Sequence, residues 1–272
     1  MINMIDMKSV TVHGEGEQVV VLGNGFGTTQ QAWRAQVAGL SQRYRVVTFD
    51  WPGSTVAMQP AYQASRHGRL FGFAEDLVAI VEALDIRGAA YVGHSVSGMI
   101  GMLALNADPG LFSRMALLGA SARYLDEPAS AYQGGATGEA VDAILASMAS
   151  DYAEWANGFS SAAMGNPDQP DLAADFARSL KVLRPDIASA VLGMILRSDH
   201  RADAEHHGRQ GVPTLLLQTA RDVAVPLAAA EWLARATRAE LRLLDADGHF
   251  PHLAAPGLVN RALLDFLAGD GR

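Results

Sequence analysis

Six short apolar runs recur along the chain, each too short for a helix and rich in residues that favour strands. They are residues 19–22, 46–49, 89–92, 115–118, 214–217 and 241–244. Continuous apolar runs of this length predict strands that are buried on both faces, as in a parallel sheet. Apolar residues at helical spacing lie between several of the runs, as from Phe73 to Leu84 and from Met99 to Leu105. This alternation indicates an α/β fold with a doubly wound, mostly parallel sheet.

The alternation stops between about Leu125 and Gly211, where no strand-like run occurs. Four helix-like stretches follow one another here, at residues 138–149, 152–159, 172–180 and 187–196. Because they lie between the fourth and fifth predicted strands, we expect them to form a cap over one end of the sheet. We therefore predict a core of residues 1–124 and 206–272 and a helical lid of residues 125–205.

A serine lies at the turn between the third predicted strand and the helix that follows it. The turn, residues 93–98, reads GHSVSG. A sharp strand-to-helix turn of this kind thrusts the Ser95 hydroxyl clear of the sheet, and it needs small residues two positions away on each side. Gly93 and Ser97 supply them, although Ser97 replaces the second glycine of the strict G-x-S-x-G pattern. Ser95 is therefore the candidate nucleophile.

A serine hydroxyl needs a base within hydrogen-bond distance and an acid that orients the base. In this arrangement the acid and the histidine each follow a later strand, in that order along the chain. Asp222 follows the fifth predicted strand and His249 follows the sixth. Asp247 and His252 are the competing candidates. We favour His249 because the preceding glycine suits a tight loop.

Acyl transfer also needs backbone N–H donors for the developing oxyanion. Val96 supplies one candidate, since it begins the helix after the serine, where N–H groups are unpaired. Phe26 supplies the other, from the glycine-rich loop of residues 23–28. A dinucleotide-binding loop is the alternative for that segment, but the G-x-G-x-x-G spacing fails because residue 30 is Gln.

Composition and charge limit the classes of function. The chain has no cysteine, which excludes disulfides, thiolate nucleophiles and Cys-ligated zinc. A formal net charge of −8 argues against nucleic acid as a partner. Residues 1–6 carry an early acid and no apolar run, unlike a secretory signal, and no stretch is long and apolar enough for a membrane span. We expect a cytoplasmic protein without a metal or other cofactor, in which the pair His206 and His207 is solvated.

Taken together, these motifs resemble the α/β-hydrolase family. Across nearly the whole chain they resemble the branch that holds the bacterial stress-response hydrolase RsbQ and the plant karrikin and strigolactone receptors. The matching segments are residues 25–28 with Gln30 and Trp33, then 93–101, 132–135, 184–188, 198–199 with Arg201, 222–226 and 247–249. The resemblance implies a V-shaped four-helix lid over an apolar pocket, a triad of Ser95, Asp222 and His249, and oxyanion donors at Phe26 and Val96.

Two positions depart from the family pattern. Asn24 stands beside the oxyanion loop where the family usually has His. After the second predicted strand, residues 50–55 bring a proline and keep only one of the two glycines of the usual turn. We expect that loop to lie away from the triad and to change the chemistry little.

The resemblance also implies a pocket and a substrate class. The implied pocket residues, for which packing between lid helices is the alternative, are Phe26, Tyr124, Ile144, Trp155, Phe159, Met194, Ile195 and Leu196. An aromatic, nearly uncharged pocket favours a small apolar ester or lactone, such as a butenolide, cleaved through an acyl-enzyme on Ser95. One alternative is a ligand-sensing protein of the RsbQ type, with slow or single turnover, whose lid docks on a partner such as a PAS-type phosphatase. A haloperoxidase-like or C–C-bond hydrolase is the other.

Overall fold

The computed structural model describes residues 9–269 and contains one mixed sheet at its centre. Within that part of the chain the sheet has seven strands in the order β1-β3-β2-β4-β5-β6-β7. Only β1 is antiparallel to its neighbour. The strands are β1 Val10–His13, β2 Val19–Gly23, β3 Arg45–Phe49, β4 Ala89–His94, β5 Phe112–Leu118, β6 Thr214–Arg221 and β7 Glu240–Asp247. The predicted fold class is confirmed, and the six predicted runs lie in β2 to β7.

Helices cover both faces of the sheet. They are α1 Arg34–Leu40, α2 Ala64–His67, α3 Leu70–Ala83, α4 Val96–Ala107, α5 Gly138–Ser150, α6 Tyr152–Met164, α7 Pro170–Val182, α8 Pro185–Arg197, α9 Arg201–Gln210, α10 Leu227–Thr237, α11 Pro251–Ala254 and α12 Pro256–Ala268. In β2, Val19 and Val21 pack with α3, α4 and α10, whereas Val20 and Leu22 pack with α1 and α12. Because successive strand residues point to opposite faces, one apolar run serves two cores.

Helices α5 to α8, residues 138–197, lie between β5 and β6 and form what we call the cap. The cap covers the carboxyl ends of the strands, since Ser179 donates a hydrogen bond to the Gly27 carbonyl and the Phe176 ring lies 4.6 Å from that of Phe250. The division of the chain predicted at residues 205 and 206 falls inside α9. That helix packs against α4 and α10.

The chain enters and leaves the cap through two segments that are bound to each other by ion pairs. An isolated β-bridge joins Arg123 to Asp199, and the two side chains form an ion pair of 2.5 Å. Arg201 binds Asp199 at 2.7 Å and Glu127 at 2.9 Å. We call these four residues the ion cluster. It links the residues just before the cap to those just after it.

Two predictions from the sequence concern a secretory signal and a membrane-spanning helix. The interpretation of residues 1–6 lies outside the described residues. From residue 9 to residue 269, no helix combines the length and the apolar composition that a membrane crossing needs.

Candidate active site

Ser95 lies at the sharp turn between β4 and α4, in a backbone conformation that is rare for a residue with a side chain. Its φ is 55° and its ψ is −126°. A Cβ at Gly93 would lie 2.6 Å from the backbone nitrogen of Gly98, so the turn requires glycine there. The backbone N–H of Ser95 is fixed by the Leu118 carbonyl of the next strand, at 2.8 Å. Strain of this kind persists where the surrounding structure enforces it, and it holds the serine side chain above the sheet.

The loops after β6 and β7 bring Asp222 and His249 to this serine. The Nε2 atom of His249 lies 2.8 Å from the Ser95 Oγ, and its Nδ1 lies 2.8 Å from the Asp222 Oδ2. Because the Asp222 carboxylate accepts from Nδ1, that nitrogen carries the proton and Nε2 is free to accept from the serine hydroxyl. The structure thus brings together all three residues that the sequence singled out, in a hydrogen-bonded chain.

The Asp222 carboxylate is buried but remains ionised. Burial alone raises its pKa, but the neighbouring His249 and hydrogen bonds from the backbone N–H groups of Val225 and Ala224 outweigh this effect and lower the pKa. Both backbone donors bind the Oδ1 atom, at 3.0 Å and 2.8 Å. Oδ2 therefore faces the imidazole, and the carboxylate cannot rotate without losing two hydrogen bonds.

The competing acid and base lie elsewhere. Asp247 forms an ion pair with Arg221 at 2.6 Å near the surface. His252 is fully buried, and within the described residues neither of its ring nitrogens has a hydrogen-bond partner. Burial lowers the pKa of His252 to about 3, so it is neutral at physiological pH. Neither residue takes the place of Asp222 or His249 in the hydrogen-bonded chain.

His94 precedes Ser95 in the chain and holds the backbone of His249 by a hydrogen bond. Its Nε2–H donates to the backbone carbonyl of His249 at 2.8 Å. Burial lowers its pKa well below the usual value, so the ring stays neutral beside the other imidazoles. No local pattern in the sequence predicts this contact, because it joins residues far apart along the chain.

The loop after β2 lies directly against the nucleophile. A Cβ at Gly25 would lie 2.5 Å from the His94 Nδ1 and 3.3 Å from the Ser95 Cβ, so only glycine permits this approach. Asn24 closes the loop by donating from Nδ2 to the Thr28 carbonyl at 2.7 Å. The loop is therefore ordered by Asn24 in place of the usual histidine. Phe26 follows Gly25 immediately and lines an apolar cavity.

An apolar cavity opens between the core and the cap, next to Val96 and Phe26. It contains about 480 Å³ of empty space, including its open mouth. Its lining has no charged side chain and comprises Gly25, Phe26, Gly27, Trp51, Pro52, Gly53, Ser54, Leu70, Phe73, Val96, Ile100, Leu183, Ile187, Ala188, Val191, Met194 and Ile195. Three predicted pocket residues, Phe26, Met194 and Ile195, are among them.

The other predicted pocket residues lie outside this lining. Trp155 and Phe159 stack at 5.1 Å inside the cap, in an apolar cluster that Ile144 and Leu196 also contact. Their apolar surface is used for packing between cap helices, which was the alternative that the sequence left open. The Tyr124 hydroxyl lies 3.5 Å from the Ser95 Oγ, on the catalytic side of the cavity.

The loop of residues 50–55 does not lie away from the site as expected. Trp51 is buried with its ring edge-on to Phe49 and Phe73, and this packing draws the loop over the cavity. Its Nε1–H donates to the Asn24 carbonyl at 2.8 Å and to the Ser97 Oγ at 3.0 Å. The expectation was wrong because a single large apolar side chain decides where the loop packs.

Of the paired histidines of α9, His206 is exposed, as expected, whereas His207 is not. His207 is buried and its Nε2 hydrogen-bonds the Thr214 Oγ1 at 2.8 Å, so it is not solvated. Burial lowers its pKa to about 4. Across residues 9–269, no group of three or more His, Asp or Glu side chains is arranged to hold a metal ion.

A family model described as alpha/beta hydrolase fold matches residues 18–256. The chain belongs to the α/β-hydrolase-fold family. Within this family it is similar to Karrikin insensitive 2 receptor CA of Petunia hybrida, at 36% identity over 264 residues that cover 96% of each chain. It is equally similar to Strigolactone esterase D14 of Arabidopsis thaliana, at 36% identity over 263 residues and 96% of each chain. These relatives confirm the branch that the sequence motifs resembled.

Solved structures of α/β-hydrolases agree with this assignment. A hydrolase from Oleispira antarctica superposes with a TM-score of 0.92 at 26% identity, covering 97% of this chain and 96% of that one. The enol-lactonase from Burkholderia xenovorans LB400 gives a TM-score of 0.81 at 21% identity, over 96% of each chain. At that identity the second likeness shows the fold alone.

Proposed function

We propose that this α/β-hydrolase cleaves a small apolar ester or lactone through an acyl-enzyme on Ser95. The observation that carries the proposal is the hydrogen-bonded chain from Ser95 through His249 to Asp222, at 2.8 Å for each step, beside an apolar cavity. A serine becomes nucleophilic when a neutral imidazole accepts its proton, and the carboxylate stabilises the imidazolium that results.

In the first half of the reaction, the Ser95 Oγ attacks the carbonyl carbon while its proton moves to the His249 Nε2. The carbonyl oxygen becomes an oxyanion, for which the Val96 and Phe26 N–H groups are the proposed donors. Collapse of the tetrahedral intermediate breaks the bond to the leaving alcohol, which takes the proton from His249. In a lactone the leaving oxygen stays attached to the acyl group.

In the second half, water attacks the acyl-enzyme and gives its proton to His249. The carboxylic acid leaves as the Ser95 hydroxyl regains its proton. Throughout the cycle Asp222 stays ionised, held by the N–H groups of Ala224 and Val225. No redox step occurs, and the atoms balance with one water consumed per ester.

The cavity lining supports the substrate class. Its side chains carry no charge, so an ionised substrate would lose hydration without gaining a partner. An uncharged ligand with a short acyl group suits this apolar lining. Names of relatives agree with this class, since one is a strigolactone esterase.

The test is hydrolysis of p-nitrophenyl acetate by the wild type, the Ser95→Ala variant and the Ser160→Ala variant. Ser160 is a matched control because it is buried in α6 and its hydroxyl has no hydrogen-bond partner among the described residues. We expect Ser95→Ala to lose at least about 10³-fold in kcat/KM and Ser160→Ala to retain activity. Mass spectrometry of the quenched wild type should show the acetyl group on Ser95. Activity that persists in Ser95→Ala refutes the proposal.

A second candidate function is ligand sensing, favoured by the likeness to a karrikin insensitive receptor over 96% of the chain. In this role one turnover leaves the ligand or its acyl group bound, and the changed cap surface docks on a signalling protein. Steady turnover separates the two functions: an enzyme releases product linearly, whereas a sensor releases about one equivalent and then stops. A ligand-dependent change in melting temperature that accompanies the stall supports sensing. A cytoplasmic location and a phosphatase partner stay predictions.

A further inference from the structure

Two side-chain donors meet at the backbone carbonyl of Asn24, between the oxyanion loop and the nucleophile turn. The Ser97 Oγ lies 2.5 Å from the Asn24 carbonyl oxygen, and the Trp51 Nε1 lies 2.8 Å from the same atom. Trp51 Nε1 also lies 3.0 Å from the Ser97 Oγ. Both lone pairs of the Asn24 carbonyl are therefore occupied, by donors from two other segments of the chain.

This junction lies within two residues of each proposed oxyanion donor. The Asn24 carbonyl and the Gly25 N–H belong to one rigid peptide plane, so fixing the oxygen fixes the direction in which the chain proceeds to the Phe26 N–H. On the other side, Ser97 follows Val96 directly in the first turn of α4. The hydrogen bond between Ser97 and Asn24 therefore ties together the two segments that carry the donors.

The two donors to the carbonyl are themselves held in place. The Ser97 carbonyl accepts from the buried Tyr91 hydroxyl at 2.9 Å, which fixes the first turn of the helix. Trp51 is 6% exposed, and its ring lies edge-on to Phe49 at 4.6 Å and to Phe73 at 5.9 Å. Both side chains are buried, so packing limits their rotation away from the junction.

We infer that Ser97 and Trp51 are positioning residues that set the spacing of the two oxyanion donors through the Asn24 carbonyl. The inference rests on the proposed function. It gives the serine at position 97 a role that glycine, the residue of the strict G-x-S-x-G pattern, cannot perform, because glycine has no hydroxyl. It also gives Trp51 a role beyond lining the cavity.

The variants are Ser97→Ala and Trp51→Phe, which remove one donor each; the second also removes one ring of the buried indole. Removal of a whole oxyanion donor costs about 10²- to 10³-fold, so loosening the pair should lower kcat by about 10- to 100-fold for Ser97→Ala and by about fivefold or more for Trp51→Phe. KM should change by less than about threefold, because the phenyl ring still lines the cavity. The pH dependence of kcat/KM should stay that of the wild type, since His249 and Asp222 are untouched.

The double variant gives the sharpest readout. If both donors act on the Asn24 carbonyl, the Trp51→Phe/Ser97→Ala protein should lose no more than about threefold beyond the worse single variant. Matched controls are Trp33→Phe and Ser160→Ala, whose Nε1 and Oγ are buried without a partner among the described residues. Both controls should keep kcat within about twofold.

Four results would overturn the inference: kcat unchanged in both single variants, a loss confined to KM, a shifted pH profile, or losses that multiply fully in the double variant. Ser97→Ala removes one oxygen only, so it still tests the inference if Trp51→Phe unfolds, and thermal melts of each protein detect unfolding.

If the wild type hydrolyses no ester, the proposed function fails, but the inference can still be tested. The inference is then read from the rate at which a fluorophosphonate labels Ser95, which should fall in the same variants because its transition state places charge on the same donors.

Discussion

Replacement of Asp222 by Asn tests the proposed mechanism, because it changes which ring nitrogen of His249 carries the proton. In the wild type the Asp222 Oδ1 accepts from two backbone N–H groups, and Oδ2 accepts the Nδ1–H of His249. An asparagine must keep its oxygen toward the two N–H donors, because its NH₂ group cannot accept from them. The NH₂ group then faces His249 and donates to Nδ1.

With a donor in place of the carboxylate, His249 adopts the tautomer that cannot accept the proton of Ser95. With Nδ1 as acceptor, the neutral His249 carries its proton on Nε2, which then donates to the Ser95 Oγ and cannot accept from it. We expect kcat to fall by about 10⁴-fold, as when the same change is made in other serine triads. That factor corresponds to about 5.5 kcal/mol of lost transition-state stabilisation.

The assay is steady-state hydrolysis of p-nitrophenyl acetate near neutral pH, with circular dichroism to show that the isosteric variant is folded. Asp247→Asn is the matched control, since it removes an acid near the same loop that is paired with Arg221 instead. It should lose less than about threefold, as expected for a pair near the surface. An Asp222→Asn protein that keeps more than about a tenth of the wild-type kcat would refute the role of Asp222 in fixing the tautomer.

Three further predictions concern the surroundings of the triad. Gly25→Ala places a Cβ 2.5 Å from the His94 Nδ1, so displacement of the oxyanion loop should lower kcat by about 100-fold, measured with the same ester. Tyr124→Phe should change kcat by less than about fivefold, because its hydroxyl is 3.5 Å from the Ser95 Oγ, too far for a strong hydrogen bond. The pKa of the buried His252 is lowered to about 3 in the folded protein, whereas in the unfolded chain it is about 6.5. As pH falls below about 6.5, the unfolded chain therefore binds a proton that the folded protein does not, and the free energy of unfolding decreases. His252→Gln should recover up to about 2 kcal/mol of the stability lost near pH 5, seen in thermal melts; an unchanged pH dependence contradicts the assignment.

The sheet was predictable from sequence because its strands carry their own signal. Six apolar runs fall in β2 to β7, and those in β2 to β6 are buried on both faces. The run in β7, the other edge strand, keeps its leucines although it is only partly buried. Strand β1 was missed, since Val10–His13 is a four-residue edge strand whose burial pattern is mixed. An edge strand pairs on one side only, so its sequence needs no continuous apolar run.

The triad residues could be found because each follows a strand that the sequence reveals. The cavity could not be found in the same way. Whether Trp155 and Phe159 face a ligand or another cap helix depends on how four amphipathic helices rotate against each other, and either arrangement buries the same rings. The position of Trp51 depends on contacts with residues 24 and 97, which no local pattern encodes.

The ion cluster bears on how a protein of this fold can change its substrate selectivity. Arg123 and Asp199 hold the two ends of the intervening segment next to each other, so a replacement segment has to span almost no distance. Helix α8 contributes Ile187 and Val191 to the cavity wall, whereas the reactive serine lies at the turn between β4 and α4, outside the cap. We therefore expect residues 128–197 to be exchangeable: the corresponding segment of another hydrolase, grafted between the same two ends, should change which substrates are accepted and leave Ser95, His249 and Asp222 in place.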